Sequence, residues 1–353
     1  MKKLILVALI LSSLIFCSEN QDIIESEVSL YFPPLSGNTW ETISVEELGW
    51  NENQVQPLLD YLEVKNTKGF IMLYNGKIVL ENYFNGQTVT MPWYWASAGK
   101  TLTSIMTGIA EENGILNLNN KVSDYLGIGW TSASLEKENL ITCKHLLSMS
   151  SGLDDSLGDN VSATNLKYIA DAGTRWGYHN VYVKLQDVIE TTSKQTFLSY
   201  FNTNLRDKIG LTGSWLQTGD LSVYWSTARS MARFGLLASN KGKWDTTQIV
   251  NESFLNNAIN SSQTINKAYG FLWWLNGKDS FHLPQSQIEF QGKLIPNAPN
   301  DMYAALGKND QKIYIVPSKK LVIIRMGESA EGTNLAFSNF DNKLWEMINL
   351  VIN

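Results

Sequence analysis

The chain has 353 residues, 44% of them hydrophobic and 18% charged, which is material for one large core or two intertwined ones. Its formal net charge of −6 argues against nucleic acid, or an anionic membrane surface, as a partner for the body of the protein.

Residues 1–16 read as an export signal. Lys2 and Lys3 form a basic start, and Leu4 to Phe16 is an apolar stretch short for a bilayer span. Leu14-Ile15-Phe16-Cys17 has the form of a bacterial lipobox, with Cys17 as the acylated first residue of an exported, periplasmic or outer-membrane lipoprotein. Phe16 departs from the small residue usual there, and plain secretion is the alternative. With Cys17 acylated, Cys143 stands alone in an apolar helical pattern, so no intrachain disulfide forms and the thiol reads as a buried small hydrophobe.

Residues 17–40 are polar and read as a tether. A helix is expected over "SVEELGWNENQVQPLLDYLEV". "KGFIMLYNGKIVLENYF" reads as two strands joined at Asn75-Gly76, the strongest short hairpin signal. In the next helix Leu102, Ile105, Met106, Ile109 and Ala110 fall on one face, and Gly114 stops it. From about 130 to 260 the patterns are mainly helical with long loops, ending in the amphipathic helix "STARSMARFGLLASNKG". Strands return at "DMYAALG", "QKIYIVPS" and "KLVIIRMG", closed by the helix "FDNKLWEMINLVI". Strands at both ends with helices between predict an α+β fold carrying a helical insertion.

Ser97 and Lys100, at i and i+3, share one helix face. A serine at the helix start sits near the positive end of the dipole, and a lysine one turn on can act as its base if burial lowers its pKa. The spacing alone is weak, because Ser134 and Lys137 repeat it in a polar stretch that reads as a solvated loop. Tyr-x-Asn is no more specific, occurring at Tyr83/Asn85, Tyr178/Asn180 and Tyr200/Asn202.

The combination resembles the serine β-lactamase and penicillin-binding-protein superfamily, on its class C β-lactamase and esterase branch. The resemblance runs from about Gly69 to Met326. It is carried by "YWASAGKTLTSIMTGIAEENGILNLNNKVSDYLG", "ITCKHLLSMSSGL", "AGTRWGYHNVYVKL", "YWSTARSMARFGLLASNKG" and "YAALGKNDQKIYIVPSKKLVII" in matching order. It implies a β-lactamase/transpeptidase-like fold: an antiparallel sheet domain from 41–130 and 225–353, a helical domain from 131–224, and the active site between them. It implies Ser97 as nucleophile, Lys100 as its partner, Tyr178 as the acid–base tyrosine and Asn180 as a positioning or substrate-binding group. The backbone N–H groups of Ser97 and Lys308 would form the oxyanion hole. A tyrosine is a poor base at neutral pH, but beside Lys100 its phenolate is expected to be favoured.

The third motif departs from the Lys-Thr-Gly of class C enzymes. Here Ala305-Leu306-Gly307 keeps the glycine, which allows close approach of substrate, and loses the cation that would hold a carboxylate. Lys308 is expected on the opposite face of the strand. Trp93, Trp95, Trp176, Trp273 and Trp274 each read more readily as core than as substrate wall, but as a group they allow an aromatic-lined acyl pocket, with Trp95 as a substrate-binding candidate; His179 is either a substrate contact or a surface or rim residue. The expectation is therefore a serine hydrolase acting through an acyl-enzyme on small-molecule esters or amides with small or apolar acyl groups. No cofactor and no metal is implied. The alternatives are a D,D-peptidase or β-lactamase, a catalytically silent binding protein of the same fold, and an α/β-hydrolase using His282 with half a nucleophile elbow at Ser97.

Overall fold

Six antiparallel strands form the central sheet of the computed structural model, which describes residues 29–219, 221–332 and 338–353. The expected export signal and Cys17 lie outside the described residues. In order across the sheet the strands are Lys77–Tyr83, Thr67–Tyr74, Leu321–Gly327, Gln311–Val316, Tyr303–Gly307 and Trp274–Leu275. The first two come from early in the chain and the other four from its end, as the α+β reading requires.

The inner strands Leu321–Gly327, Gln311–Val316 and Tyr303–Gly307 are buried throughout because both faces of the sheet are covered there, whereas the edge strand Lys77–Tyr83 alternates. Side chains alternate, so neighbouring residues report opposite faces. Ile313 meets Gly235 of the helix Ala228–Ser239, while Tyr314 meets Trp345 of the C-terminal helix Asn339–Ile352 at 5.6 Å between ring centroids. The Asn75-Gly76 turn has φ of 47° and 84°, the left-handed pair that a two-residue hairpin demands. A side chain at Gly76 would also strike the Tyr31 carbonyl, at 2.0 Å.

That contact corrects the expected tether. Within 29–40, Tyr31 N–H donates to the Asn75 carbonyl, and the buried Trp40 donates its indole N–H to the Gly76 carbonyl at 2.7 Å. Arg233 reaches the Pro34 carbonyl at 2.6 Å. This segment is docked, and its aromatic residues are the reason. The first helix is also shorter than expected, Val55–Val64, because Gly49 turns left-handed at φ 65° and Asn51 is extended.

The largest departure lies in the stretch expected to be mainly helical. Ser214–Thr218 and Leu221–Ser226 form a hairpin, and Leu221–Ser226 also pairs with Trp93–Tyr94. The boundary placed between 224 and 225 therefore falls inside a strand. Thr218-Gly219-Asp220-Leu221 carries a hairpin turn signal, and Gly219 has φ 60°. Cys143 begins the short helix Cys143–Leu147 and is buried, which pushes its thiol up to about 12.

Candidate active site

The nucleophile helix is Lys100–Glu112, entered through a tight turn over Ala96–Gly99. Leu102, Ile105 and Met106 are fully buried and contribute on the order of 1.5–3 kcal/mol each. That packing holds an expensive first turn. Ala96 sits left-handed at φ 48°, a strained conformation for a residue with a Cβ, and Lys100 is only 3% exposed. The strand Tyr303–Gly307 runs directly against the turn. A Cβ at Gly307 would lie 2.4 Å from the Trp95 carbonyl oxygen, so only glycine lets the two backbones meet.

Four predicted residues converge. Lys100 Nζ donates to Ser97 Oγ at 3.0 Å and to Asn180 Oδ1 at 3.3 Å, and lies 5.0 Å from the centre of the Tyr178 ring. Tyr178 packs among Trp176, Tyr269 and Trp274, with its phenol close enough to Ser97 and Trp274 for both to act on its pKa. Its segment is anchored by the Gly177 N–H, which donates to the Met149 carbonyl at 2.9 Å. The tight turn Asn180–Val183 follows, capped by His179, whose Nδ1 accepts from Val181 N–H. Asn180 Nδ2 donates to Asp159 Oδ1 at 2.5 Å, a residue that no sequence motif singles out.

Burial decides the protonation states. It lowers the Lys100 pKa to about 7, with the Asp159 charge opposing it. It also pushes the Tyr178 phenol up to about 12, against the opposing influence of the neighbouring Ser97 and Trp274. The expected phenolate is therefore corrected. Near neutral pH the tyrosine keeps its proton, and the lysine is the group that can be free to accept one.

A cavity of about 440 Å³ opens on Ser97 and Lys100. Its walls are Tyr94, Tyr182, Trp215, Leu221, Val223 and Trp225, and its polar groups include Asp159, Asn180, Ser222 and Lys308. The aromatic wall thus exists, but much of it comes from the unforeseen hairpin. Trp95 is fully buried, donates to Ser226 Oγ at 2.7 Å and packs on Tyr224 and Phe234. Trp176, Trp273 and Trp274 are buried behind the site, and Trp93 donates to the Gly327 carbonyl. His179 and Ala305 are buried off the lining. None of these touches the cavity, because side-chain direction and not proximity in sequence decides it.

Lys308 is a second correction. The strand ends at Gly307, and Lys308 opens a turn in which Asn309 and Asp310 are both left-handed at φ 60°. Alternation stops there, and the exposed Lys308 lines the same cavity as Ser97. Arg325 pins the turn from below, donating to the carbonyls of Asn309 at 2.9 Å and Asp310 at 3.0 Å.

The duplicate motifs have structural duties. Ser134 caps the short helix Leu135–Glu138, and Lys137 pairs with Asp171 at 2.8 Å. Tyr83 donates to Glu81, and the Tyr200 hydroxyl accepts from Asn113. His282 is buried in a short strand away from the cavity, and the sheet is antiparallel, which rules out the α/β-hydrolase reading. Among the described residues, no group of three or more His, Cys, Asp or Glu side chains is placed to hold a metal.

Comparison with known proteins agrees with the geometry. The beta-lactamase family model matches residues 69–342. Among solved structures, the chain is similar to a candidate 6-aminohexanoate-dimer hydrolase from Bacillus anthracis, at TM-score 0.68 and 18% identity, covering 91% of this chain and 88% of that one. It is similar to a penicillin binding protein from Bacillus halodurans, at TM-score 0.61 and 15% identity, over 83% and 99% of the two chains. It is also similar to EstCE1, a hydrolase with promiscuous acyltransferase activity, at TM-score 0.63 and 14% identity, over 88% and 99%. No curated protein matches the chain.

Proposed function

The chain belongs to the beta-lactamase family, and on that premise we propose that it is a serine hydrolase acting through an acyl-enzyme on esters or amides with small or apolar acyl groups. The observation that carries this reading is a serine bonded to a buried lysine at the floor of an aromatic and aliphatic cavity.

Ser97 Oγ attacks the substrate carbonyl carbon while its proton passes to neutral Lys100. The oxyanion is held by the N–H groups of Ser97 and Lys308. Tyr178, protonated and near enough to Ser97 to feel its hydroxyl, donates to the departing group. Water then attacks the acyl-enzyme, with the same groups working in reverse. EstCE1 and the candidate 6-aminohexanoate-dimer hydrolase lend the ester and amide classes their support by name. Export, and lipid attachment at Cys17, belong to the same proposal and rest on residues 1–17 alone.

Protonated Lys100 cannot accept the Ser97 proton, so kcat/KM for a neutral ester should rise through an acid limb near pH 7 and be lost below it. A pH–rate profile on p-nitrophenyl butyrate checks this. A flat profile from about pH 5.5 to 8.5 would remove Lys100 as base.

Lys308 favours a second reading. An exposed cation on the lining returns a group that can meet a carboxylate, as a D,D-peptidase or β-lactamase needs. The test is a panel of p-nitrophenyl esters of graded length, ω-amino-acid amides, nitrocefin and a D-Ala-D-Ala peptide. Lys308→Ala should lower kcat/KM for the carboxylate-bearing substrates about tenfold more than for neutral esters. If nitrocefin or the peptide turns over far faster than every ester and amide, the second reading replaces the first. If no substrate turns over and a fluorophosphonate does not label Ser97, the protein is a silent binding protein of this fold.

A further inference from the structure

We propose that Asp159 is a positioning residue of this site: its carboxylate orients the Asn180 amide so that the amide oxygen faces Lys100, and it places a negative charge one amide away from that lysine. The proposal rests on the serine-hydrolase reading above and adds a residue to it.

Asn180 is 9% exposed, and both ends of its amide are specified. Its Oδ1 accepts from Lys100 at 3.3 Å, and its Nδ2 donates to Asp159 Oδ1 at 2.5 Å. An amide can flip, and the flipped form would set its NH2 against the lysine and its oxygen against the carboxylate. Asp159 makes the working orientation the stable one. The loop that carries Asp159 is itself held in shape, because the Asn165 side chain donates to the carbonyls of Leu157 and Asn160, on either side of it.

Charge adds a second, independent reason. Around Lys100 lie Ser97, Asn180 and the rings of Tyr178 and Tyr182, at 5.0 and 4.7 Å. Both tyrosines keep their protons because burial raises them. His179 is kept from protonating chiefly by burial and, less, by the Lys100 charge, against Asp155 and Asp159, and Lys308 lines the same cavity as Lys100. Among the described residues, Asp159 is the carboxylate whose field acts on Lys100. Its negative charge favours the lysine's protonated form, so removing it should free the amine at lower pH.

The test compares Asp159→Asn with Asp159→Ala. The first keeps an oxygen for Asn180 Nδ2 and removes the charge; the second removes both. The readout is the second-order rate of Ser97 labelling by a fluorophosphonate against pH, which needs no identified substrate. Both variants should move the acid limb to lower pH by about half a unit or more. Asp159→Ala should also lose about tenfold on the plateau relative to Asp159→Asn, because the amide is no longer oriented. Limbs that superimpose on the wild-type limb, with or without a lowered Tm, would reduce Asp159 to a loop residue and overturn the proposal. A wild type that labels but turns over none of the panel would sink the ester and amide reading while leaving this one standing. A wild type that does not label overturns both.

Discussion

Replacing Ser97 by alanine should lower turnover by about 10³- to 10⁶-fold and abolish fluorophosphonate labelling. The fold should survive, because Ser97 is only half-buried and Lys100, which bonds it, keeps its bond to Asn180 at 3.3 Å. Ser222 shares the cavity, but among the described residues no lysine hydrogen-bonds it as Lys100 does Ser97. Lys100→Ala should cost a comparable factor, and the double variant little more than either single one, because the two residues act as a unit. Steady-state rates and the intact mass of a trapped acyl-enzyme check the result. A Ser97→Ala protein retaining a tenth of wild-type turnover would mean that a different nucleophile does the work.

What the sequence made legible, and what it hid, divides along physical lines. The Asn75-Gly76 hairpin and the sheet drawn from both ends of the chain were readable because turn chemistry and apolar runs are local signals. Ser97, Lys100, Tyr178 and Asn180 emerged from the order of several weak motifs, and the structure brings all four together. The cavity wall was hidden. Trp215 and Trp225 belong to a hairpin set in a region of helical patterns, whose one local mark is the Gly219 turn. Trp95 misled in the opposite sense, standing two residues from the nucleophile yet pointing into the core. Lys308 could not be aimed by alternation, because where a strand stops depends on pairing and on the left-handed Asn309 and Asp310. The proton's location was equally out of reach. Burial, the largest influence on both groups, lowers Lys100 and raises Tyr178, and burial is a property of the assembled fold.

The second large effect concerns stability. Asp341→Ala should destabilise the protein by about 3–5 kcal/mol in chemical denaturation, because it breaks a buried ionic cluster by removing one partner. Lys312, Asp310, Asp341 and Arg325 are all fully buried. Lys312 Nζ lies 2.9 Å from Asp341 and 3.2 Å from Asp310. The Tyr314 hydroxyl donates to Asp341, and Asp341 also accepts from Ser338 N–H at 3.0 Å, closing the cap of the C-terminal helix. Truncating Asp341 therefore takes from Lys312 one of its two buried carboxylates, and takes the acceptor from a phenol and a helix end. Removing Lys312 as well, in Lys312→Met with Asp341→Ala, deletes opposite charges as a pair. The double variant should then lose less than the sum of the single ones, by about 1–3 kcal/mol. Strictly additive losses, or a loss below about 1 kcal/mol for Asp341→Ala, would show that the charges are not coupled. The cluster also borders the catalytic turn, since Arg325 holds the carbonyls of Asn309 and Asp310 just after Lys308. At temperatures where the variant is still folded, its kcat should therefore fall while KM changes less, since a loosened Lys308 N–H weakens the oxyanion more than the bound ester.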